Sequence, residues 1–301
     1  MVSIKQLAMG GLAVLALQVL ISAGPAAAET TTKVADGVYL FAPGDGYTSM
    51  FVVTSEGVVA VEPVNTPHAK GLLAAIGSVT DKPVRYLLHS HNHWDHSRGG
   101  QVFRDAGAKI LAHKAAYDWM KANPHPDMVL PDEGWNAKRK DITLGDTTIE
   151  MHYIGMSHGL GMTVFRVAEQ KVAYIADVVT PKRVLFSIVP DFNINEWVRA
   201  LSEIEELDFD KAIFSHTQDK VPFGSKADVI QNREFIQDLQ GAIVAQFKKG
   251  TPFTEIPQVV KLPKYEKWAM YEEWLPLNVW RVMLDMHMGP FPWQPALDFN
   301  K

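Results

Sequence analysis

Four of the chain's eleven histidines, His89, His91, His93 and His96, fall within eight residues, and Asp95 stands among them. Imidazole and carboxylate together make a divalent-metal donor set. The run His91-Asn92-His93-Trp94-Asp95-His96 has the form H-x-H-x-D-H. Side chains two apart on an extended segment point the same way, so His91 and His93 can reach one ion. A turn after Trp94 re-aims Asp95 and His96 at a neighbouring point. That is half of a two-metal site. A polar loop rich in histidine by accident would have no reason to follow directly on the apolar run 84–88.

A dinuclear site needs further donors, each at the end of a strand and facing the same edge. His158 follows the apolar run ending at Ile154, Asp177 follows 172–176, and His216 follows 212–214. Taken singly, Asp177 could cap a turn and either histidine could be a hydrogen-bonded structural residue. Their shared placement favours ligation.

The elements that must position these residues are legible as alternating patterns. Segments 38–41, 50–54 and 58–61 are β-rich and separated by glycine-containing turns. Thr66-Pro67 reads as a helix N-cap and first position, opening a helix to about Ile76. Strands are expected over 84–88, 109–112, 142–154, 162–167, 172–176 and 212–214, with 89–100 as a loop and a helix near 115–121. Pro124 to Gly134 reads as irregular. Trp197, Leu201, Ile204 and Leu207 fall at helical spacing behind Asn195 as a cap. Ser225 with Asp228 starts a long helix that Gly250 stops, and a last helix runs from Pro276 to Met288 before Gly289-Pro290. Strands before helices, twice over, predict an α/β sandwich with no linker dividing it.

Composition narrows the chemistry. The chain has 301 residues, 47% hydrophobic and 21% charged, enough to bury a sizeable core. Its 29 basic and 34 acidic residues give −5, so no general attraction to nucleic acid is expected. Cysteine is absent, which removes disulfides, a thiol nucleophile and thiolate metal sites. The N-terminus reads as an export signal: Lys5, an apolar stretch to Ala23, a Gly24-Pro25 break and Ala26-Ala27-Ala28. Cleavage after residue 28 would release the chain to a bacterial periplasm. About 18 apolar residues could instead just span a bilayer as an anchor.

On the H-x-H-x-D-H run, the following ligand positions and the Gly37-Val38-Tyr39 opening strand, the sequence resembles the metallo-β-lactamase superfamily. The resemblance extends to the 271–282 tail and implies a four-layer αββα sandwich (α+β) with metals at one sheet edge. It implies that His91, His93 and His158 bind one ion, that Asp95, His96 and His216 bind the second, and that Asp177 bridges them. A bridging Asp is typical of lactonase, glyoxalase-type thioesterase, phosphodiesterase and oxidoreductase members rather than of true β-lactamases. Glu62 stands where the family commonly has Asp, a position that usually supports the metal loop. Two divalent ions, most simply zinc with iron or manganese as alternatives, would depress the pKa of a shared water to about 7. The water would attack a carbonyl carbon, and Asp95 would shuttle a proton. The expected activity is hydrolysis of a small ester, lactone, thioester or amide.

Other readings compete. Gly155-Met156-Ser157-His158-Gly159 matches the G-x-S-x-G nucleophile elbow, with Asp177 and His216 in Ser…Asp…His order. The elbow needs a helix after the serine, whereas 162–165 reads as strand. With iron, the same fold could serve a sulfur dioxygenase or another oxidoreductase. A non-catalytic metal-binding protein is a third possibility. Trp268, Trp274, Trp280 and Trp293, with Tyr265, Tyr271 and Phe291, are expected to pack the tail, one or two of them lining the substrate mouth beside Trp94. Such a wall suits a neutral, partly apolar substrate. The stretch 128–131 reads as a lid candidate, His89, His113 and His152 as structural, and His68, His125 and His287 as surface or helix-edge residues.

Overall fold

A computed structural model describes residues 30–217 and 223–289. The export signal, Phe291, Trp293 and Pro290 of the expected helix stop lie outside the described residues. Among the described residues, thirteen strands and eight α-helices follow one another. The first half runs β1 (Thr30–Ala35), β2 (Val38–Ala42), β3 (Ser49–Val53), β4 (Val58–Val61), α1 (Thr66–Val79), β5 (Val84–Leu88), α2 (Trp94–Ser97), α3 (Gly100–Asp105), β6 (Lys109–His113), α4 (Lys114–Ala122) and β7 (Glu133–Trp135). The second runs β8 (Arg139–Leu144), β9 (Thr147–Tyr153), β10 (Thr163–Val167), β11 (Val172–Ile175), α5 (Ile194–Glu206), β12 (Lys211–Phe214), β13 (Phe223–Gly224), α6 (Lys226–Lys249), α7 (Ile256–Val259) and α8 (Tyr271–Met288).

Strands β1 to β7 form one sheet in sequence order, and the other is ordered β13-β12-β11-β10-β9-β8. The two-residue period of each strand sorts its side chains between layers. Val38 and Leu40 of β2 enter the core between the sheets with Met151, Phe165 and Tyr174 of the second sheet. Phe41 and the partly buried Tyr39, on the opposite face, pack with Leu72 and Ile76 of α1 and Phe103 of α3. The outer face of the second sheet is covered by Trp197 and Leu201 of α5, Phe235 and Leu239 of α6, and Val279 and Val282 of α8. Helix, sheet, sheet, helix is the expected αββα order.

Parallel pairing of β4 with β5 and of β11 with β12 brings the ends that follow Val61, Leu88, Ile175 and Phe214 to one edge. Several boundaries differ from the sequence expectation. Segment 142–154 is not one strand: it takes in the end of β8, a turn at 145–146 and all of β9, which pair as a hairpin. Residues 94–97, within the expected loop 89–100, are helical, and a further helix begins at its last residue, Gly100. Asn65, not Thr66, caps α1, its side chain accepting from His68 N–H. Asn193, not Asn195, caps α5, accepting from Glu196 N–H. The last helix begins at Tyr271 and carries Pro276 inside it, because burial of Tyr271 and Leu275 continues the helix upstream of the proline. The capping box at Ser225 and Asp228 and the left-handed Gly250 stop are as expected. Among the described residues no helix is long and apolar enough to cross a membrane.

Candidate metal centre

The structure brings all seven sequence-expected residues together at that edge. Behind β5, His91 and His93 lie on an extended segment, and His93 has φ −60° and ψ 138° as the residue before α2. The single turn of α2 is tied back by His96 and Ser97 N–H groups to the His93 carbonyl, at 3.1 and 3.0 Å. That turn redirects Asp95 and His96. His158 comes from the 154–162 loop, which Asn92 joins to the histidine run: its Oδ1 accepts from Leu160 N–H at 2.7 Å. Gly159 is required by this approach. A Cβ there would lie 2.9 Å from Asn92 Oδ1 and 3.1 Å from His93 Nε2.

Asp177 sits at the centre. Its backbone is left-handed, φ 47°, a conformation Asp tolerates better than most residues. Ser215 holds it, accepting from its N–H at 3.0 Å and donating to Oδ1 at 2.5 Å. Oδ2 lies 2.9 Å from His158 Nε2 and 3.1 Å from His96 Nε2, and Oδ1 lies 3.3 Å from His216 Nε2. One carboxylate thus reaches both halves. His91, His93, His158 and Asp177 each offer a donor atom within 4.8 Å of one another, and so do Asp95, His96 and His216.

Four of the five histidines have their outward ring nitrogen engaged; that of His158, Nδ1, is buried without a hydrogen bond. His96 Nδ1 meets Glu62 Oε2 at 2.5 Å, and Glu62 Oε1 accepts from Ser90 N–H at 2.8 Å. Glu62 therefore does the supporting work expected of it, from a left-handed corner at φ 67°. His91 Nδ1 meets Ser90 Oγ at 2.7 Å, and His216 Nδ1 meets the Gly46 carbonyl at 2.8 Å. His93 uses Nε2 to meet Asp191 Oδ2 at 2.7 Å, which leaves Nδ1 as its donor. The inward Nε2 atoms of His91 and His96 are buried without a hydrogen bond. Orphaned ring nitrogens around a buried carboxylate fit divalent cations.

Burial opposes ionisation of Asp177, yet His96, His216 and His158 hold it well below the usual carboxylate range. Burial disfavours a proton on His91, with its neighbouring histidines, and its pKa is pushed well down. His96 is also buried, but Asp177 and Glu62 raise it well above the ordinary value. The site is thus a mutually charged cluster that cations would replace protons to satisfy.

Residues without a sequence signal complete the pocket. Tyr47, from the β2–β3 turn, donates its hydroxyl to Asp95 Oδ2 at 3.0 Å, and its ring lies 4.6 Å from that of His216. Only the Gly44-Asp45-Gly46 turn in front of it could have marked a loop at this edge. Tyr47, Asp95, Asp177, Arg183, Phe186 and Phe192 are among the residues lining a pocket of about 490 Å³. Its aromatic wall comes from Tyr47, Phe186 and Phe192, not from the tail tryptophans or Trp94 expected there, and Arg183 and Asp191 add opposite charges to it. Arg183 has no ion pair among the described residues; it lies over Phe186 and Trp274 at 5.9 and 5.6 Å.

Several side expectations are corrected. Trp94 turns away from the pocket toward His125 and Trp119 because α2 points it outward. Met128 and Leu130 pack on Ala112, Ala116 and Met120 instead of forming a lid. His68 is buried, its ring bridging Asp45 Oδ2 and Ser49 Oγ at 2.8 Å each. Ser157 is buried, its hydroxyl has no partner, and no helix follows it, so the elbow is absent. Asp177 and His216 are not its partners.

The comparisons with known proteins agree with this geometry. Residues 42–216 match the metallo-beta-lactamase superfamily. This chain belongs to that superfamily. The superfamily contains hydrolases and typically binds divalent metals. The chain is 26% identical over 189 residues to the 2,4-dinitroanisole O-demethylase subunit alpha of Nocardioides sp. (strain JS1661), and 25% identical over 200 residues to its subunit beta. The alignments cover 62% and 66% of this chain, and 57% and 61% of those proteins. Among solved structures, a metallo-beta-lactamase from Pontibacter korlensis superposes with TM-score 0.60 and 18% identity, over 70% of this chain and 99% of that one. A stereoselective inverting sec-alkylsulfatase from Pseudomonas sp. gives TM-score 0.71 and 14% identity, over 89% and 52%. These two likenesses are of fold. As a superfamily member, the chain has its match end at His216, so α6, α7 and α8 lie beyond the matched residues.

Proposed function

We propose that this chain is a dinuclear metal hydrolase acting on a small substrate that carries an ester, lactone, thioester or amide. The observation that carries the reading is the pair of adjacent donor groups, His91/His93/His158/Asp177 and Asp95/His96/His216, with the Asp177 carboxylate 3.1 and 3.3 Å from His96 and His216 of the second, opening on a pocket of small-molecule size. His91, His93 and His158 would hold one ion, Asp95, His96 and His216 the other, and Asp177 both. Zinc suits this all-nitrogen-and-oxygen set, and iron or manganese is the alternative that metal analysis would reveal. Bound there, the ions supply Lewis-acid polarisation and water of lowered pKa.

The chain's own residues do the rest. Asp95 faces the pocket with Tyr47 donating to Oδ2, so its carboxylate is oriented to take a proton from attacking water and return it to the leaving group. Phe186 and Phe192 exclude water and receive the apolar part of the substrate. Arg183 supplies N–H donors to a carbonyl or other oxygen acceptor, so a polar group sits at that end. The N-terminal 28 residues direct the chain to the periplasm, which N-terminal sequencing of the processed protein would test.

The names of the sequence relatives give a second substrate to try. They are subunits of an O-demethylase, so an activated aryl methyl ether belongs beside esters and lactones in the assay panel. With metals loaded, Asp95→Ala should lose at least about a hundredfold in kcat, as expected for a positioned general base, and Ser157→Ala should keep wild-type turnover. Full activity of the Asp95 variant would contradict the reading. Loss in the Ser157 variant with both metals retained would return the serine nucleophile. Oxygen consumption without hydrolysis would mark an oxidoreductase.

A further inference from the structure

Helix α8 reaches back across the molecule into the loop between β11 and α5. Asn278, fully buried, donates Nδ2 to the carbonyls of Leu185 and Ser187 at 3.1 and 2.8 Å. Arg281, one turn on, donates Nε to the Val189 carbonyl at 3.0 Å and Nη2 to the Phe192 carbonyl at 2.5 Å. Its third nitrogen, Nη1, reaches Asp285 Oδ1 at 3.2 Å. Two side chains of one helix thus hold four carbonyls of an eight-residue loop. That loop needs holding: Ser187 and Val189 are left-handed, at φ 47° and 49°, and a β-branched residue there is strained.

The clamp brackets the residues that meet the three-histidine half of the centre. Asp191 lies between the clamped Val189 and Phe192 carbonyls and takes His93 Nε2. Phe192 lies against His158, with ring centroids 3.8 Å apart. We propose that Arg281 and Asn278 are positioning residues for the His91–His93–His158 half, acting through the 185–192 loop and Asp191. The proposal rests on the metal assignment given above. It makes α8, beyond the superfamily match, part of what sets metal affinity. A carboxylate on the outer ring nitrogen fixes the imidazole's tautomer and direction, and losing such a partner lowers metal affinity about 10- to 100-fold.

The test is cobalt(II) binding to the purified full chain, followed by its absorption spectrum and by competition with a chromophoric chelator. Wild type should bind two equivalents. Asp191→Asn should weaken one of them about 10- to 100-fold and leave the other unchanged. Arg281→Met should weaken the same equivalent, with the same change in the spectrum. Adding Arg281→Met to Asp191→Asn should cost little more, since both act on one path. Leu284→Ala, on the exposed side of α8, should change neither equivalent. If Arg281→Met does not fold, Asn278→Ala is held to the same expectation, because it removes two of the four carbonyl bonds. A folded Arg281 or Asn278 variant with both equivalents at wild-type affinity would overturn the proposal alone. So would equal weakening of both. A wild type that binds no cobalt would overturn the metal assignment and this proposal with it.

Discussion

At the scale of single residues, the centre follows from which ring nitrogen each histidine has left over. Glu62, Ser90, Gly46 and Asp191 each engage one nitrogen of a histidine, and the remaining donors converge around Asp177. His91→Ala should therefore empty its half of the centre, seen as a fall from two metals per chain to one. Tyr47→Phe removes only a hydroxyl, so metal content should stay at two while kcat falls about tenfold through a less well oriented Asp95. A loss of metal in that variant would show that Tyr47 holds the ligand rather than the reaction geometry. The seven donors were legible because ligand chemistry restricts residue type, and four of them sit in one short run. Tyr47, Arg183 and Asp191 were not, because tyrosine, arginine and aspartate are common and only folding brings these three to the edge. Asp191 is 98 residues from the histidine it meets.

Elements explain what the residues cannot. Parallel pairing within each sheet places strand ends that are distant in sequence at one edge, and short apolar runs were enough to see those strands. Helix boundaries were harder, because capping chemistry is local while helix length is settled by tertiary burial. Asn195 and Asn193 are equally good caps by residue type. The choice between them is made by Ile194, fully buried under α5. Asn193→Ala should lower stability by about 1 kcal/mol, read as a reduced Tm. Junctions of β6 and α4 carry a pH dependence. Burial lowers the His113 pKa to about 4, and burial of His89 behind β5 lowers its pKa to about 3. The unfolded chain protonates both near 6.5, so between that pH and 4 it binds more protons than the folded one. Metal-free protein should therefore lose stability as pH falls through this window, and His113→Phe, keeping the ring stacked on Tyr153, should flatten the slope.

For the whole molecule, the two sheets meet as a sandwich whose open edge carries the candidate metal centre, and the C-terminal helices close the outer face behind it. Strands preceding helices twice made an α/β sandwich legible, while its four-layer order came from the superfamily resemblance. The hold of α8 on the loop that lines the pocket was not legible, since nothing in the tail's composition separates packing residues from those that grip a loop. A centre that gathers five histidines and two aspartates around one buried point is electrostatically costly without cations, so chelation should lower Tm as well as abolish turnover. The most direct test is metal content by mass spectrometry on protein purified without added metal, with hydrolysis of an ester and lactone panel measured before and after chelation. The account predicts about two divalent ions per chain, zinc foremost, with turnover lost on chelation and restored by zinc. A chain that holds no metal and hydrolyses its substrate in the presence of chelator would contradict it.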